Sequence, residues 1–268
     1  MKWHWGWLII LSISLNNCTK NNSKPSLDVF GHAGTSLHRD RAVYPANSLK
    51  SIKYALDVLD ADGVEIDVQM TKDSILVLYH DAYLNQASTF DGCISQYSFK
   101  EIEHLKLDYT NYEIVTLQKV LSYIQSRQKR VYLDVKTYDY CKGEKISQST
   151  FQYALNKSVE HLDSNFVNTK IILGMTDFQF LNDIQFNNKC YETTNAAEGL
   201  QKANDYQFNS LLFFKQFVSK DDAILLNQSS VYWGIIGVKD KWVIDEVVER
   251  QPKFIISDNI ARTKKVTE

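Results

Sequence analysis

The chain has 268 residues, 44% of them hydrophobic and 12% aromatic, enough to bury a large core within a single domain of the size that α/β barrels use. Its 30 basic and 32 acidic side chains leave a formal charge of −2, which excludes the strongly basic surface of a nucleic-acid binder. A folded, near-neutral protein with room for one large core is the starting point.

The first residues read as an address. Lys2 precedes an apolar core from Trp5 to Leu15, too short to span a bilayer, which closes on Leu15-Asn16-Asn17-Cys18. A Cys at that point resembles a bacterial lipoprotein signal, in which Cys18 is lipidated and becomes the mature N-terminus. Small residues usually precede such a Cys and Asn17 stands there, so a plain secretory signal and an uncleaved anchor are the alternatives. Residues 1–18 are thus read as a signal segment, 19–26 as a polar tether, and 27–268 as the folded domain. An exported lipoprotein of the cell envelope, held to a membrane through Cys18, is the expectation.

Leu27 to Phe30 predicts a strand that stops at Gly31-His32-Ala33-Gly34, a loop with close backbone approach. Arg39 and Arg41 follow in a loop. Asn47 or Ser48 then caps a helix whose apolar positions Leu49, Ile52, Ala55, Leu56 and Leu59 share one face, ending near Asp62-Gly63.

The most informative stretch runs from Gly63 to Asp81. Apolar and β-branched residues fill Val64 to Val68 and Ile75 to Tyr79 around the turn chemistry of Thr71-Lys72-Asp73-Ser74, which predicts a hairpin. Side chains alternate along a strand, so Glu65 and Asp67 point to the same face. Two like charges buried together call for a positive partner, and carboxylate oxygens suit magnesium or calcium. A turn centred on Lys72-Asp73 places His80 opposite Glu65. An acidic pair on the solvent face of an edge hairpin gives the same local pattern, so the rest of the chain must decide.

From Asp81 to Asn111 the pattern is irregular, with one short helix over 99–105. Helices are then predicted over 116–125, 149–162, 177–184, 196–204, 218–226 and 242–249. Strands are predicted over 130–136, 170–173, 190–193, 210–214, 231–236 and 253–257. Alternation of this kind implies parallel strands joined by crossovers. The return arm of the hairpin is linked too tightly to be one of them. Without it the strands number about eight, the count of a TIM (β/α)8 barrel, with residues 69–111 as a small insertion after the second strand. Strand C-termini then bring His32, Glu65, Asp67, Asp134, Lys136 and Asp258 to one mouth. Cys93 and Cys141 fall on loops at that same end and form the preferred disulfide, whereas Cys190, inside an apolar run, reads as a buried thiol.

Residues 31–81, together with Leu133-Asp134-Val135-Lys136 and Ile255-Ile256-Ser257-Asp258, resemble the glycerophosphodiester phosphodiesterase family, within the superfamily of phosphatidylinositol-phospholipase-C-like phosphodiesterases. The resemblance implies a TIM barrel and a divalent cation, Mg2+ or Ca2+, held by Glu65, Asp67 and Asp134. It further implies His32 and His80 as acid and base and Lys136 on the phosphate. Trp233 would line a pocket for glycerol; with Ala33 where the family carries Arg, either Arg39 or Arg41 supplies that positive charge from the loop or phosphate binding is weaker. The implied substrate is a small-molecule or lipid-derived phosphodiester, cleaved to an alcohol and glycerol 3-phosphate in lipid metabolism.

Three positions depart from the family pattern. Ala33 stands where Arg usually follows the first His, Pro45-Ala46-Asn47-Ser48 replaces Pro-Glu-Asn-Thr, and Asp134 replaces Glu. A phospholipase-D-like lyase of the same superfamily, which also uses an aspartate as third ligand, is the enzymatic alternative. A phosphodiester-binding lipoprotein without turnover is the other.

Overall fold

The computed structural model describes Met1, residues 27–38 and residues 40–267. Apart from Met1, the expected signal segment and tether lie outside these residues, as does Arg39. No described helix is long and apolar enough to cross a membrane.

Eight parallel strands close into a barrel. They are β1 (Asp28–Gly31), β2 (Gly63–Met70), β4 (Arg130–Val135), β7 (Ile171–Met175), β8 (Lys189–Glu192), β9 (Ser210–Phe214), β10 (Tyr232–Val238) and β11 (Phe254–Ser257). β1 pairs with both β2 and β11, which leaves the ring without an open edge. Strand β3 (Leu76–Leu78) is the antiparallel return arm on β2 and stands outside the ring.

Strand alternation sorts the core into two layers. Val64, Ile66 and Val68 on β2, Val131, Leu133 and Val135 on β4, and Trp233, Ile235 and Val238 on β10 pack outward against the helices. Phe30, Tyr132, Ile172, Cys190, Leu212, Ile236, Phe254 and Ile256 fill the barrel interior. The outer layer is held by α1 (Leu49–Asp57), α3 (Leu117–Ser126), α4 (Gln148–Val159), α5 (Ser164–Lys170), α6 (Phe178–Asp183), α7 (Ala196–Tyr206), α8 (Lys220–Gln228), α9 (Lys241–Glu249) and α10 (Ile260–Thr267). Ser48 caps α1 by accepting from the Ser51 amide. That helix stops at Asp57, short of Asp62, because Asp60 takes a left-handed turn at φ 49°. The single helix predicted over 149–162 is followed by a separate one, α5, capped by the Asp163 carboxylate on the Phe166 amide.

Between β3 and α3 lie three 3-10 turns and the short helix α2 (Phe99–Ile102). Val77, Tyr79, Leu84, Ile94, Ile102, Leu105, Leu107 and Ile114 give this insertion a small core of its own. After β4 comes a hairpin with no counterpart in the sequence reading, β5 (Tyr138–Asp139) and β6 (Glu144–Lys145). A disulfide joins Cys93 of the insertion to Cys141 in the turn of this hairpin, and Cys190 is a buried free thiol, as the placement of the loops predicts.

Candidate active site

The parallel register of β2 and β4 sets Asp67 opposite Asp134 and Glu65 opposite Tyr132, so all four side chains share the interior face at the C-terminal end of the barrel. One carboxylate oxygen each from Glu65, Asp67 and Asp134 lies within 4.8 Å of the others. Lys136 Nζ reaches Asp67 Oδ1 at 2.8 Å and Asp134 Oδ2 at 2.7 Å. Burial pulls the Lys136 pKa down, but the charges of Asp67 and Asp134 outweigh it and hold the ammonium well above its ordinary range. One lysine does not balance three acids. Burial, then the charges of Asp67 and Asp134, push Glu65 well above the ordinary carboxylate range. Three converging, under-neutralised oxygen donors fit a hard divalent cation.

Backbone geometry serves these carboxylates. The Ala33 amide donates to Glu65 Oε2 at 2.8 Å from a left-handed φ of 47°, a conformation that costs a non-glycine residue roughly 1–2 kcal/mol. Gly31 permits the turn, since a Cβ there would lie 1.9 Å from the Gly34 carbonyl oxygen. Asn47, also left-handed at φ 61°, donates its side-chain amide to Asp67 Oδ2 at 2.8 Å and accepts from the Asp67 amide at 3.0 Å. The sequence left Asn47 and Ser48 as alternative helix caps; Ser48 takes that role, and Asn47 braces Asp67. Burial raises the Asp67 pKa, but Lys136 and these bonds outweigh it and hold the group below its ordinary value.

The two histidines flank the acids. His32 Nδ1 lies 3.0 Å from Asp258 Oδ1, which also accepts from Ser36 Oγ and the Leu37 amide. Its Nε2 lies 3.9 Å from Glu65 Oε2. Since the Asp258 oxygen accepts, Nδ1 carries the proton and Nε2 is the nitrogen turned toward the acids. Burial pushes Asp258 up, but the hydrogen bond from His32 and the further partners prevail and keep it below its ordinary value.

His80 arrives by a different route from the one its position in the sequence predicts. The hairpin pairs Val68 with Leu78, so extending its register would set His80 opposite Ile66, not Glu65. Ser74, left-handed at φ 62°, lengthens the turn and shifts the register by one residue. The ladder ends at Leu78, and Gln69 Nε2 clamps the carbonyls of Tyr79 and Asp81, both at 2.9 Å. His80 lies close enough to Asp67 to feel its charge. Its Nδ1 is 2.8 Å from Asp81 Oδ1, and that hydrogen bond is the main cause raising its pKa above the ordinary histidine value, with Asp67 adding to it against burial.

Beside the acids opens a cavity of about 290 Å3, bordered by Glu65 and Asp134 and lined by Tyr132, Glu192 and Phe214 among others. Glu192, at the end of β8, was not singled out from the sequence. It accepts from the Tyr132 hydroxyl at 2.8 Å, and burial, then the charge of Asp134, raise its pKa to about 8. A second cavity of about 180 Å3, on the insertion side, is lined by Asn47, His80 and Asp81 with Leu37 and Tyr79.

Residues 38–225 match the model of the glycerophosphoryl diester phosphodiesterase family. The chain belongs to this family. It is 31% identical over 105 residues to a glycerophosphodiester phosphodiesterase of Bacillus altitudinis, covering 37% of this chain and 40% of the relative. It is 30% identical over 115 residues to one of Caldanaerobacter subterraneus subsp. tengcongensis, covering 41% of this chain and 45% of that relative. The chain therefore aligns with less than half the length of these curated relatives. Among solved structures, an Oleispira antarctica phosphodiesterase in complex with the product sn-glycerol-3-phosphate superposes with a TM-score of 0.76 at 17% identity, over 89% of this chain and 95% of that one. A glycerophosphodiester phosphodiesterase of Thermotoga maritima gives 0.71 at 19% identity, over 90% and 98%. At such identities the likeness is one of fold, and the fold is the TIM barrel.

Set against the glycerophosphoryl diester phosphodiesterase pattern, two expected contributors stand elsewhere. Trp233 is fully buried in the outer layer, its indole Nε1 donating to Asn227 Oδ1 at 3.1 Å. Strand alternation explains this: Ile236, three positions on, is the β10 residue whose side chain faces the cavity, so Trp233 faces the helices. Arg41 is engaged at the rim, with Nη2 2.9 Å from Asp240 Oδ1 and Nη1 3.3 Å from the Lys239 carbonyl. Arg39 lies outside the described residues.

Proposed function

We propose that this chain is a metal-dependent phosphoric diester hydrolase that cleaves glycerophosphodiesters to an alcohol and glycerol 3-phosphate. The observation carrying this reading is the meeting of Glu65, Asp67, Asp134 and Lys136 at one barrel mouth, with His32 beside Glu65 and His80 beside Asp67. Membership of the family supports it.

Glu65, Asp67 and Asp134 would hold a divalent cation, which when bound neutralises phosphate oxygens and polarises the phosphorus. The Lys136 ammonium adds a second positive charge there. His32, with Nδ1 fixed by Asp258, presents Nε2 to take a proton from the attacking oxygen. His80, its pKa raised, holds a proton to give to the departing alkoxide. The test is release of glycerol 3-phosphate from glycerophosphocholine by purified protein with magnesium, calcium or a chelator. Absence of release under every metal condition sinks the reading.

The aspartate at position 134 favours the lyase as a second reading, and a cyclic phosphate among the products would establish it. For localisation, the Cys93–Cys141 disulfide supports an oxidising compartment, in keeping with an exported envelope lipoprotein. Loss of membrane association in a Cys18→Ser variant tests the lipid anchor.

A further inference from the structure

Three large aromatic side chains stand out from the C-terminal rim of the barrel. Phe214 ends β9, Phe217 closes the 3-10 turn Lys215–Phe217 that follows it, and Trp242 lies in the first turn of α9, just after β10. They are 48%, 40% and 67% exposed. Apolar residues scattered singly over a surface are ordinary, but these three belong to one patch. β9 and β10 are neighbours in the ring, and Lys215 Nζ sits 5.2 Å from the centre of the Trp242 ring. Phe214 also lines the cavity beside Glu65 and Asp134, so the patch runs into the mouth.

The loops that present these rings are held by hydrogen bonds. The Lys215 carbonyl accepts from Arg250 Nη1 at 2.8 Å. A reciprocal cap fixes the start of α8, with the Ser219 amide donating to Asp222 Oδ2 at 2.9 Å and the Asp222 amide to Ser219 Oγ at 3.1 Å. The patch is positive although the chain as a whole stands at −2. Residues 214–222 and 238–242 carry Lys215, Lys220, Lys239 and Lys241 against Asp221, Asp222 and Asp240, and Asp240 is paired with Arg41.

Exposed Phe and Trp in the company of lysines discriminate between kinds of partner. Protein interfaces enrich aromatic residues but deplete lysine, whereas a lipid surface takes both at once. The rings enter the head-group layer while the ammonium groups stay at its anionic phosphates. We propose that this rim docks on an anionic lipid bilayer, with Phe214, Phe217 and Trp242 in the head-group layer and Lys215 and Lys241 on its phosphates, which turns the barrel mouth toward the membrane surface.

The test is a binding measurement, independent of whether any diester is cleaved. The full chain carries Trp3, Trp5, Trp7, Trp233 and Trp242. Replacing the first three by Phe leaves Trp233, which is fully buried, and Trp242 as the emitter that can respond. Vesicles of phosphatidylglycerol and phosphatidylcholine in equal parts are expected to shift Trp242 emission to the blue, and brominated acyl chains to quench it. Phosphatidylcholine alone should do neither. In that background Phe217→Ser, and separately Lys215→Glu/Lys241→Glu, should each weaken binding to the mixed vesicles about ten-fold or more, with an unchanged melting temperature showing the fold intact. Variants that bind as tightly as their parent overturn the proposal, as does equal quenching with and without phosphatidylglycerol. So does a chain that co-sediments with vesicles while Trp242 stays unquenched, since the segment ahead of residue 27 alone would then hold it. Trp242 emission that is blue before vesicles are added, and unmoved by them, overturns it in favour of a second copy or another protein segment on the patch.

Discussion

His32 and Asp258 are 226 positions apart in the chain and 3.0 Å apart in the structure, joined where the first and last barrel strands pair. Because the Asp258 oxygen accepts from Nδ1, it leaves Nε2 as the His32 nitrogen that would act as base in the proposed reaction. Asp258→Asn can present a donor in its place and turn the imidazole to the wrong tautomer. Turnover is expected to fall about 10²- to 10⁴-fold, the range general base catalysis supplies. Steady-state kinetics beside a thermal melt checks this, and a variant that keeps full activity refutes the orienting role.

His80 depends on Asp81 in a way that pH reveals. The Asp81 hydrogen bond is the leading cause of the raised His80 pKa, so the acid form survives to higher pH than in a free histidine. Activity needing that proton is present below the raised pKa and is lost as pH climbs through it. Asp81→Asn removes the leading cause, and the alkaline limb of kcat/KM should move to lower pH. His80→Ala should abolish the limb along with most turnover.

Glu65 carries a stability cost that the proposed cation would relieve. A carboxyl whose folded pKa is raised contributes stability below its unfolded value, and that contribution is lost as pH rises toward the folded one. At neutral pH, in chelator, Glu65→Gln should therefore melt higher than wild type, by about 2–4 °C for each kcal/mol relieved in a domain of this size. Adding magnesium or calcium should raise the wild-type melting point and leave the variant nearly unmoved. Calorimetric scans with and without metal read both effects.

The Cys93–Cys141 bond ties the insertion carrying His80 to the hairpin after β4, across 48 positions. Closing a loop of that length typically contributes about 2–4 kcal/mol. The double variant Cys93→Ser/Cys141→Ser should lose stability of that order in urea titration. Its amide protection should fall first in residues 76–114, whose small core is separate from that of the barrel.

Local rules made much of this legible in the sequence. Period-two alternation alone gives Glu65 and Asp67 one face and separates Asp134 from the apolar Leu133 and Val135 on either side of it. Strand and helix spacing counts the barrel. Capping chemistry starts α1 within one residue of its observed position. The hairpin register escaped the same logic, because a left-handed Ser74 adds a residue to the turn that composition does not reveal.

What the sequence by itself determined is the set of barrel strands, the mouth at which they end, and His32, Glu65, Asp67, Asp134 and Asp258 placed there by strand termini. Tertiary structure alone decided which of these groups touch. The closure of β1 on β11 brings Asp258 to His32, the register of β4 sets Tyr132 beneath Glu192, and the facing of β10 sends Trp233 into the outer layer. A strand's own pattern fixes which side chains share a face, but its partners and their stagger depend on the whole ring closing. Contacts between residues sixty or two hundred positions apart therefore have no local signature.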